Sequence, residues 1–262
     1  MSPRQFILST ALITAAAHAG PPEPHADILL ARESDQIVTG EIDLRSGDFT
    51  TGIRVFGAEL GEDGVPFATT DPGFNSLDGT WAPGSHLGFD LLATLRVWNG
   101  SGFDPAAEET MTVSFLVLSA TTGRGFVPGF DLTVPEDGGI HAHFDFTLNG
   151  SGGDPAPGVY LLELAYRSDD GVTAPSLPFW IVFNESQSEE EHDAAIAWVE
   201  ANLANPACIG DIDADGERGF SDVLLVLSSW GPCAGCAADV DGDDVVGFAD
   251  LLQILSNWGP CS

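Results

Sequence analysis

The sequence predicts a mainly β protein: an antiparallel β-sandwich that ends in one helix, followed by a small all-α module of two repeated loop–helix units. Three observations carry this prediction. Short apolar runs alternate with clusters of Gly, Asp, Asn and Pro over about the first 180 residues. A helical pattern with a capping signal follows at residues 188–204. After it, the stretch from Asp211 to Asp222 recurs 28 positions later, from Asp239 to Asp250, which indicates a duplicated structural unit.

The N-terminus has the pattern of a secretory signal peptide over residues 1–19. Arg4 precedes an apolar run from Phe6 to Ala17, and Ala17-His18-Ala19 matches the small-x-small pattern of a cleavage site. The run is too short to span a membrane. We therefore expect a protein secreted to the extracellular space or cell surface, with a periplasmic location as the alternative. We expect no membrane span after cleavage.

The composition agrees with export and narrows the possible partners. The formal net charge is −32, and all eight basic residues are arginines, so the surface repels nucleic acid and anionic lipid. All four cysteines fall in the C-terminal module at symmetric positions, which favours structural disulfides in an oxidising compartment. The CxxC from Cys233 to Cys236 is also typical of zinc or redox sites, but no histidine lies near it.

Residues 20–204 are predicted to form the sandwich domain. Turn residues separate seven apolar runs without helical patterns between them, which favours an antiparallel sandwich; the runs are 36–42, 53–60, 87–98, 111–118, 140–148, 159–166 and 177–183. The closing helix begins at Ser188, which has the capping-box spacing to Glu191. Its apolar face consists of Ala195, Ile196, Val199 and Leu203. Asn205-Pro206 ends the helix, and residues 205–207 form the linker.

One predicted strand, residues 140–148, carries a candidate transition-metal site. With a period of two, its inward residues are Ala142, Phe144, Phe146 and Leu148, and its outward residues are His141, His143 and Asp145. Two imidazoles beside a carboxylate are a common ligand set for zinc. Three further candidates complete the predicted ligand shell: His25, Asp27 and His86. The alternative is that all six are ordinary polar surface residues.

Five segments of this domain resemble a family of exported bacterial proteins. They are HADI at 25–28, TGRGFVPGF at 122–130, HAHFDFTL at 141–148, PFWIVFN at 178–184 and EEHDAAI at 190–196. Members of that family often end in a PEP-CTERM sorting tail and are associated with repression by the zinc-uptake regulator. The resemblance covers residues 25–204 and implies zinc-linked expression. The chain departs from the family in its tail, where the repeated module replaces the sorting helix.

The repeated unit has the ligand pattern of a calcium loop. Carboxylates at loop positions 1, 3 and 5, a backbone carbonyl at position 7 and an acid at position 12 surround a large, hard cation with oxygens. In the first loop these are Asp211, Asp213, Asp215, the carbonyl of Glu217, and Asp222; in the second they are Asp239, Asp241, Asp243, the carbonyl of Val245, and Asp250. Gly216 makes the turn in the first loop, whereas the second has Asp244, which enters the left-handed region less readily. The second site is therefore predicted to be the weaker one.

A helix is predicted after each loop, and Gly-Pro ends both helices. Apolar residues recur at helical spacing, at Phe220, Val223, Leu224, Leu227 and Trp230 and again at Phe248, Leu251, Leu252, Leu255 and Trp258. Without entering helices, residues 208–261 resemble a dockerin module, and we assign 208–262 to it. The resemblance implies two antiparallel loop–helices that fold with calcium and dock onto a cohesin-like or other cell-surface protein. Phe220-Ser221 and Phe248-Ala249 depart from the small hydroxyl pairs often found at those loop positions.

The four cysteines allow three pairings. In the antiparallel arrangement that the dockerin resemblance implies, the end of each helix lies beside the start of the other loop. That arrangement predicts disulfides from Cys208 to Cys261 and from Cys233 to Cys236. The alternative, Cys208 with Cys233 and Cys236 with Cys261, would join the two ends of a single loop–helix, which a helix ~15 Å long keeps apart.

No catalytic constellation stands out: the sequence has no G-x-S-x-G elbow, no H-E-x-x-H and no phosphate loop. The sequence therefore predicts an exported, non-enzymatic protein that binds or buffers zinc and is tethered by the calcium module. One alternative is a carbohydrate-binding sandwich delivered to a polysaccharide-degrading assembly, which exposed Trp81, Trp98 or Trp180 would favour. Another is a zinc-dependent hydrolase.

Overall fold

The computed structural model describes residues 27–62, 64–103, 106–204, 210–213, 215–233, 235–241 and 243–260. The predicted signal peptide, His25, the predicted linker, Cys208 and Cys261 lie outside these residues. Within them the protein is mainly β with few helices, as predicted.

Fifteen strands precede the first helix in the described residues. In chain order, β1 to β15 are Asp27–Glu33, Gln36–Ile42, Phe49–Thr51, Val55–Glu59, Ala68–Thr69, Phe74–Asn75, His86–Leu91, Arg96–Val97, Thr110–Phe115, Leu118–Thr121, Val127–Thr133, His141–Ala142, Asp145–Asn149, Gly158–Ser168 and Phe179–Glu185. Helix α1, Glu189–Val199, continues into a π-helical turn, Glu200–Ala204. The C-terminal elements are β16 Glu217–Arg218, α2 Phe220–Ser228, β17 Gly231–Pro232, β18 Val245–Val246, α3 Phe248–Ser256 and β19 Gly259–Pro260. In the described part of the chain, no helix has the length and apolar character needed to cross a membrane.

The strands before α1 form three sheets. The first has the order β12-β6-β1-β2-β3, the second β10-β9-β13-β5, and the third β11-β7-β14-β15-β4, with β8 also paired to β14. Most neighbours are antiparallel, as predicted, but β1 pairs with β6 and β15 pairs with β4 in parallel. A parallel pair needs a long crossover connection, and here intervening strands of the same sheet and of the other sheets supply it.

Side chains from all three sheets meet in one buried core. Ile28 of the first sheet, Phe146 of the second and Phe179 of the third have no exposed surface and belong to one apolar cluster. The outer face of the third sheet is covered as well, because Val182 packs against Val199 of α1 in a second cluster. Strands β14 and β15 are therefore buried on both faces over much of their length, which explains their uninterrupted apolar runs at 159–162 and 179–183.

Helix α1 begins at the predicted cap. The Ser188 hydroxyl accepts a hydrogen bond from the Glu191 amide at 3.3 Å, and acidic residues fill the first turn, where the helix dipole favours them. His192 is buried at the sheet: its Nε2 donates to the Val182 carbonyl at 2.8 Å, and its Nδ1 lies 3.0 Å from Glu59 Oε1. The helix is thus held to the sheet by a polar contact as well as by its apolar face.

The predicted strand at 140–148 is divided between two sheets. β12 pairs with β6 in the first sheet, β13 pairs with β9 in the second, and residues 143–144 connect them. The inward set is buried as the period of two predicts: Ala142, Phe144, Phe146 and Leu148. The division separates the outward set, because His141 lies in the first sheet whereas Asp145 lies opposite Ser114 in the second.

The C-terminal module has an internal two-fold relation. Glu217–Arg218 of the first loop pairs with Gly259–Pro260, which follows α3. Val245–Val246 of the second loop pairs in the same register with Gly231–Pro232, which follows α2. Val226 and Ile254, equivalent positions of the two helices, are fully buried in one apolar cluster between the units.

Candidate metal centres

One group of potential ligands lies on the first sheet. The side chains of Asp27, His141 and His143 each offer a ligand atom, and these atoms all lie within 4.8 Å of one another. Asp27 is the buried first residue of β1, His141 is the exposed first residue of β12, and His143 follows that strand. Two imidazole nitrogens and a carboxylate oxygen therefore converge at one place on the surface.

The strand register explains this convergence. Phe74 of β6 lies opposite both Ile28 of β1 and Ala142 of β12. The same register continued by one residue places Gly73 opposite Asp27 on one side and opposite His143 on the other. A Cβ atom on Gly73 would stand 2.8 Å from Asp27 Oδ1 and 2.6 Å from His143 Cε1. Because glycine lacks that atom, the two side chains reach each other, with Asp27 Oδ2 at 3.9 Å from His143 Nε2.

Hydrogen bonds hold two of the three candidate ligands through β6. Asp27 Oδ1 accepts from the Gly73 amide at 3.0 Å, and Asp27 Oδ2 accepts from Asn75 Nδ2. The Oδ1 atom of the same Asn75 lies 2.5 Å from His141 Nδ1. Buried Asn75 therefore contacts both Asp27 and His141.

The third candidate ligand, His143, is oriented by the chain before β6. Its Nδ1 lies 3.2 Å from the Thr70 carbonyl oxygen and 3.5 Å from Asp71 Oδ1. Both neighbours are acceptors, so in the neutral ring Nδ1 carries the proton and Nε2, which lies 3.9 Å from Asp27 Oδ2, has the lone pair. An imidazole in this tautomer can bind a metal ion through Nε2.

The remaining predicted zinc ligands lie elsewhere or outside the described residues. His86, at the start of β7, has its Nδ1 2.7 Å from Asp169 Oδ2, and Asp145 is exposed on the second sheet. The structure therefore brings together Asp27, His141 and His143, but not His86 or Asp145.

Sequence reasoning missed the residues that shape this site, Gly73 and Asn75, and the flanking Asp71. All three lie in the stretch Asp71-Pro-Gly-Phe-Asn75. A glycine within a short strand pattern often marks a close approach of neighbouring groups. That signal was available in the sequence, but its partners lie 46 and 70 residues away along the chain (Asp27 and His143), in strands whose pairing the sequence does not specify.

Each calcium-type loop gathers three of its four predicted carboxylates, and Asp215 of the first loop and Asp243 of the second lie outside these groups. Asp222 is fully buried and accepts from three backbone amides, those of Ile212 at 2.6 Å, Asp213 at 3.3 Å and Gly219 at 2.7 Å. The ligand atoms of Asp211, Asp213 and Asp222 lie within 4.8 Å of one another.

Backbone amides of the first loop also donate hydrogen bonds to its carboxylates. Asp211 accepts from the amides of Asp215 and Gly216, and Asp215 accepts from the amide of Glu217. Burial raises the pKa of Asp222, but the amide hydrogen bonds outweigh it and lower the pKa overall.

The second loop repeats this geometry. Asp250 accepts from the amides of Val240 at 2.7 Å, Asp241 at 3.1 Å and Gly247 at 2.6 Å. The ligand atoms of Asp239, Asp241 and Asp250 lie within 4.8 Å of one another, and Asp243 accepts from the Val245 amide at 2.8 Å. Desolvation and the negative charges of neighbouring aspartates raise the pKa of Asp241. A bound cation would relieve this repulsion.

The turn position of the second loop adopts the required conformation without glycine. Asp244 has φ 68°, and its counterpart Gly216 has φ 87°. Both lie in the left-handed region, which aspartate enters at some cost. The cost bears on the second loop alone, and its weaker calcium affinity stays a prediction.

The module contains one of the two disulfides that the sequence predicts. Cys233 and Cys236, one of the two predicted pairs, are joined by a disulfide.

Each of the two loop–helix units exposes four large apolar side chains at equivalent positions. They form two apolar stripes: Phe220, Leu224, Leu227 and Trp230, and Phe248, Leu252, Leu255 and Trp258.

The tryptophans named for the carbohydrate-binding alternative do not form an exposed strip. Trp81 and Trp180 are 3% and 5% exposed. Trp98 is partly buried against Phe103 and Trp198, with ring centroids 5.2 and 6.1 Å away. The flat aromatic platform that would favour glycan binding is therefore not made by these three residues.

A cleft of about 810 Å³ lies between β4 and α1 and is strongly acidic. Its charged lining consists of Glu41, Glu59, Glu62, Glu189, Asp193 and His192. Burial lowers the pKa of His192, but the hydrogen bonds to Glu59 and to the Val182 carbonyl, with the charges of Glu59 and Asp193, raise it overall. The cleft thus contains a buried histidine that holds its proton more tightly than a histidine in water does.

No protein-family model, curated protein or solved structure matches the chain.

Proposed function

We propose that this chain is an exported, non-enzymatic protein that binds or buffers zinc through Asp27, His141 and His143. The observation that carries the proposal is the convergence of their three ligand atoms within 4.8 Å of one another. The resemblance of residues 25–204 to proteins repressed by the zinc-uptake regulator supports the same metal. A protein made when zinc is scarce would be expected to hold that ion.

The donor set supports zinc over a hard cation. Imidazole nitrogen is a ligand for zinc and other first-row transition metals, whereas calcium and magnesium take oxygen ligands. The two histidines are exposed, with the side chain of His143 37% accessible, while Asp27 is buried. Access from solvent suits reversible loading, and it leaves a fourth position for water.

The surroundings favour binding over hydrolysis. A zinc hydrolase needs an open coordination position with a general base beside it. The carboxylate of Asp71 is close to the group, but it contacts Nδ1 of His143, the nitrogen away from Asp27. It is therefore placed to orient the ring rather than to activate a metal-bound water.

Metal analysis of the purified chain tests this function. In calcium-containing buffer, the chain without residues 1–19 should bind about one zinc per molecule, and a His141→Ala/His143→Ala variant should bind none while keeping its β circular dichroism. His86→Ala is the matched control, because it removes a surface histidine that lies outside the group. Zinc bound equally by the double variant, or not bound by the wild type, would refute the proposal.

We further infer that the three sheets form a sandwich and that residues 208–262 form a dockerin-like calcium module that tethers the protein. The shared core of the three sheets supports the first inference. Three features support the second inference: the two aspartate groups, the left-handed turn of both loops, and the exchanged strand pairs, in which each loop pairs with the segment that follows the other loop's helix. Two Ca²⁺ ions per module are proposed, one in each loop.

The two apolar stripes are the candidate docking surface, and a cohesin-like or other cell-surface protein is the proposed partner. Their exposed rings suit a protein interface, in which aromatic anchors carry much of the binding energy. Binding of purified cohesin domains should require calcium and should be lost in a Phe220→Ala/Phe248→Ala variant. Because the stripes are equivalent, each single substitution should weaken binding less than the double one. Binding that persists in excess chelator would contradict this role.

A further inference from the structure

We propose that Asn75 is the positioning residue of the candidate zinc site: it selects the Nδ1-protonated tautomer of His141 and so directs the Nε2 lone pair to the metal. The inference rests on the proposed zinc-binding function and deepens it. It assigns a role to a residue of β6 that is not itself a ligand.

The hydrogen-bond partners of Asn75 fix the orientation of its side-chain amide. A carboxylate oxygen of Asp27 lies against one end of the amide, and that oxygen accepts hydrogen bonds. The amide nitrogen must therefore face Asp27, which leaves the amide oxygen facing His141. The orientation follows from the partners and not from the positions of the heavy atoms alone.

The amide oxygen then selects the tautomer of His141. An oxygen acceptor 2.5 Å from Nδ1 requires a proton on that nitrogen. In the neutral ring the other nitrogen, Nε2, is then unprotonated and free to bind a metal ion. Since Asn75 is 5% exposed, water does not compete readily for either hydrogen bond, and the amide is held by partners at both ends.

The strand register makes Asn75 the only residue of β6 that can accept the hydrogen bond from Nδ1 of His141. His141 lies directly opposite Asn75 in the antiparallel pair, and Gly73, two positions earlier on the same face, has no side chain. The other ring, His143, has its Nδ1 held by the Thr70 carbonyl and Asp71. Both imidazoles are thus set in the same tautomer, but by different segments, so the two effects can be separated by mutation.

Zinc affinity is the first test. Loss of a residue that orients a ligand typically weakens metal binding 10–100-fold, so Asn75→Ala should raise the zinc Kd by about that factor in competition with a chromophoric chelator. The matched control is Asn149→Ala, which removes the side-chain amide of a partly buried asparagine that bonds to Thr110, Thr112 and Thr147 on the second sheet. The control should change the Kd by less than about twofold.

The ring tautomer is the second test, and it needs no metal. Nitrogen–proton correlation spectra of the histidine rings in the zinc-free wild type should show His141 protonated on Nδ1 above its titration range. Asn75→Ala removes the oxygen acceptor and should give the mixture of tautomers typical of a solvated ring. The ring of His143 should be unchanged in this variant.

The outcomes separate this inference from the function on which it rests. Equal zinc affinity in Asn75→Ala and wild type, with binding still lost in His141→Ala, would overturn the role of Asn75 and leave the zinc site standing. A wild-type His141 protonated on Nε2 would overturn it without any variant, even if Asn75→Ala fails to fold. A wild type that binds no zinc would overturn the proposed function, while the spectra would still decide the tautomer.

Discussion

Asp27 and His143 meet across Gly73, with Asp27 Oδ2 3.9 Å from His143 Nε2. The two residues flank β6 on opposite sides, and the glycine between them leaves a gap that any other residue would fill. The candidate zinc site therefore depends on an absent side chain as much as on the three that supply donor atoms.

Substitution of that glycine should disrupt zinc binding. In Gly73→Ala the new methyl group would clash with Asp27 and His143, and ligand positions must be held to within about 0.5 Å for a metal site to function. We expect the zinc Kd to rise about tenfold or more in a calorimetric titration. Gly125→Ala is the control, since no atom lies within 4 Å of its added Cβ. An unchanged Kd in Gly73→Ala would show that the two side chains do not bind the ion together.

Removal of calcium should unfold the module and leave the β region intact. Metal-binding free energy in such small domains is folding free energy. In excess chelator, amide hydrogen exchange should become fast in α2 and α3 while β14 stays protected; the measurement is exchange mass spectrometry on the full chain. Helices that stay protected without calcium would show that the loops do not need the ion.

The buried acid of each loop should matter more than an exposed one. Asp222 accepts three backbone hydrogen bonds, and its removal leaves those donors unpaired in addition to deleting a ligand. Asp222→Ala should destabilise the module by roughly 3 kcal/mol or more and leave it unfolded even at saturating calcium. Asp213→Ala, an exposed position, should fold at higher calcium. Similar calcium-dependent refolding of both variants would contradict this ranking.

The stability of the β region should depend on pH through His192. Because its pKa is raised in the folded state, the folded chain holds this proton more tightly than the unfolded chain does. The stabilisation should be complete below about pH 6.5 and should be lost as the pH rises through the folded pKa. Urea unfolding of the zinc-free protein should show that loss.

A histidine variant checks the assignment of this pH effect. His192→Gln should remove the decline at alkaline pH, whereas His86→Ala should retain it. Parallel pH curves for the wild type and His192→Gln would assign the effect to another group.

The second disulfide is expected between Cys208 and Cys261, which close the ends of the module. The loop-entropy estimate for such a long ring is ~4 kcal/mol of stabilisation. Non-reducing peptide mapping should recover a 208–261 linked peptide along with the Cys233–Cys236 ring. A peptide linking Cys208 to Cys233 would contradict the expected pairing, and Cys261→Ala should lower the urea midpoint of the module at fixed calcium.

The sequence was most informative for sites whose residues lie close together along the chain. Each predicted calcium loop keeps all its ligands within twelve consecutive positions, and in each loop the structure brings three of the four predicted carboxylates within 4.8 Å of one another. The inward face of residues 140–148 is likewise buried as predicted, because a period of two needs no knowledge of distant strands.

The sequence was least informative where the site depends on strand pairing. The parallel pairing of β1 with β6, on which Asp27 depends, joins segments more than 40 residues apart. The break between β12 and β13 separated Asp145 from the two histidines, and His86 paired with Asp169 instead. Such pairings are set by packing of the whole core, which no local pattern encodes.

The exchanged strand pairs of the module have a consequence for any attempt to shorten it. A chain ending after the first helix would keep every residue of the first loop, yet Glu217–Arg218 would lose Gly259–Pro260, and Arg218 Nη1 would lose the Asn257 carbonyl to which it donates at 2.8 Å. The 28-residue stretch is therefore a repeat of sequence but not an autonomous folding unit. A transplantable tag cut from this protein should extend through both helices and past Pro260 to Cys261, since each half is completed by the tail of the other.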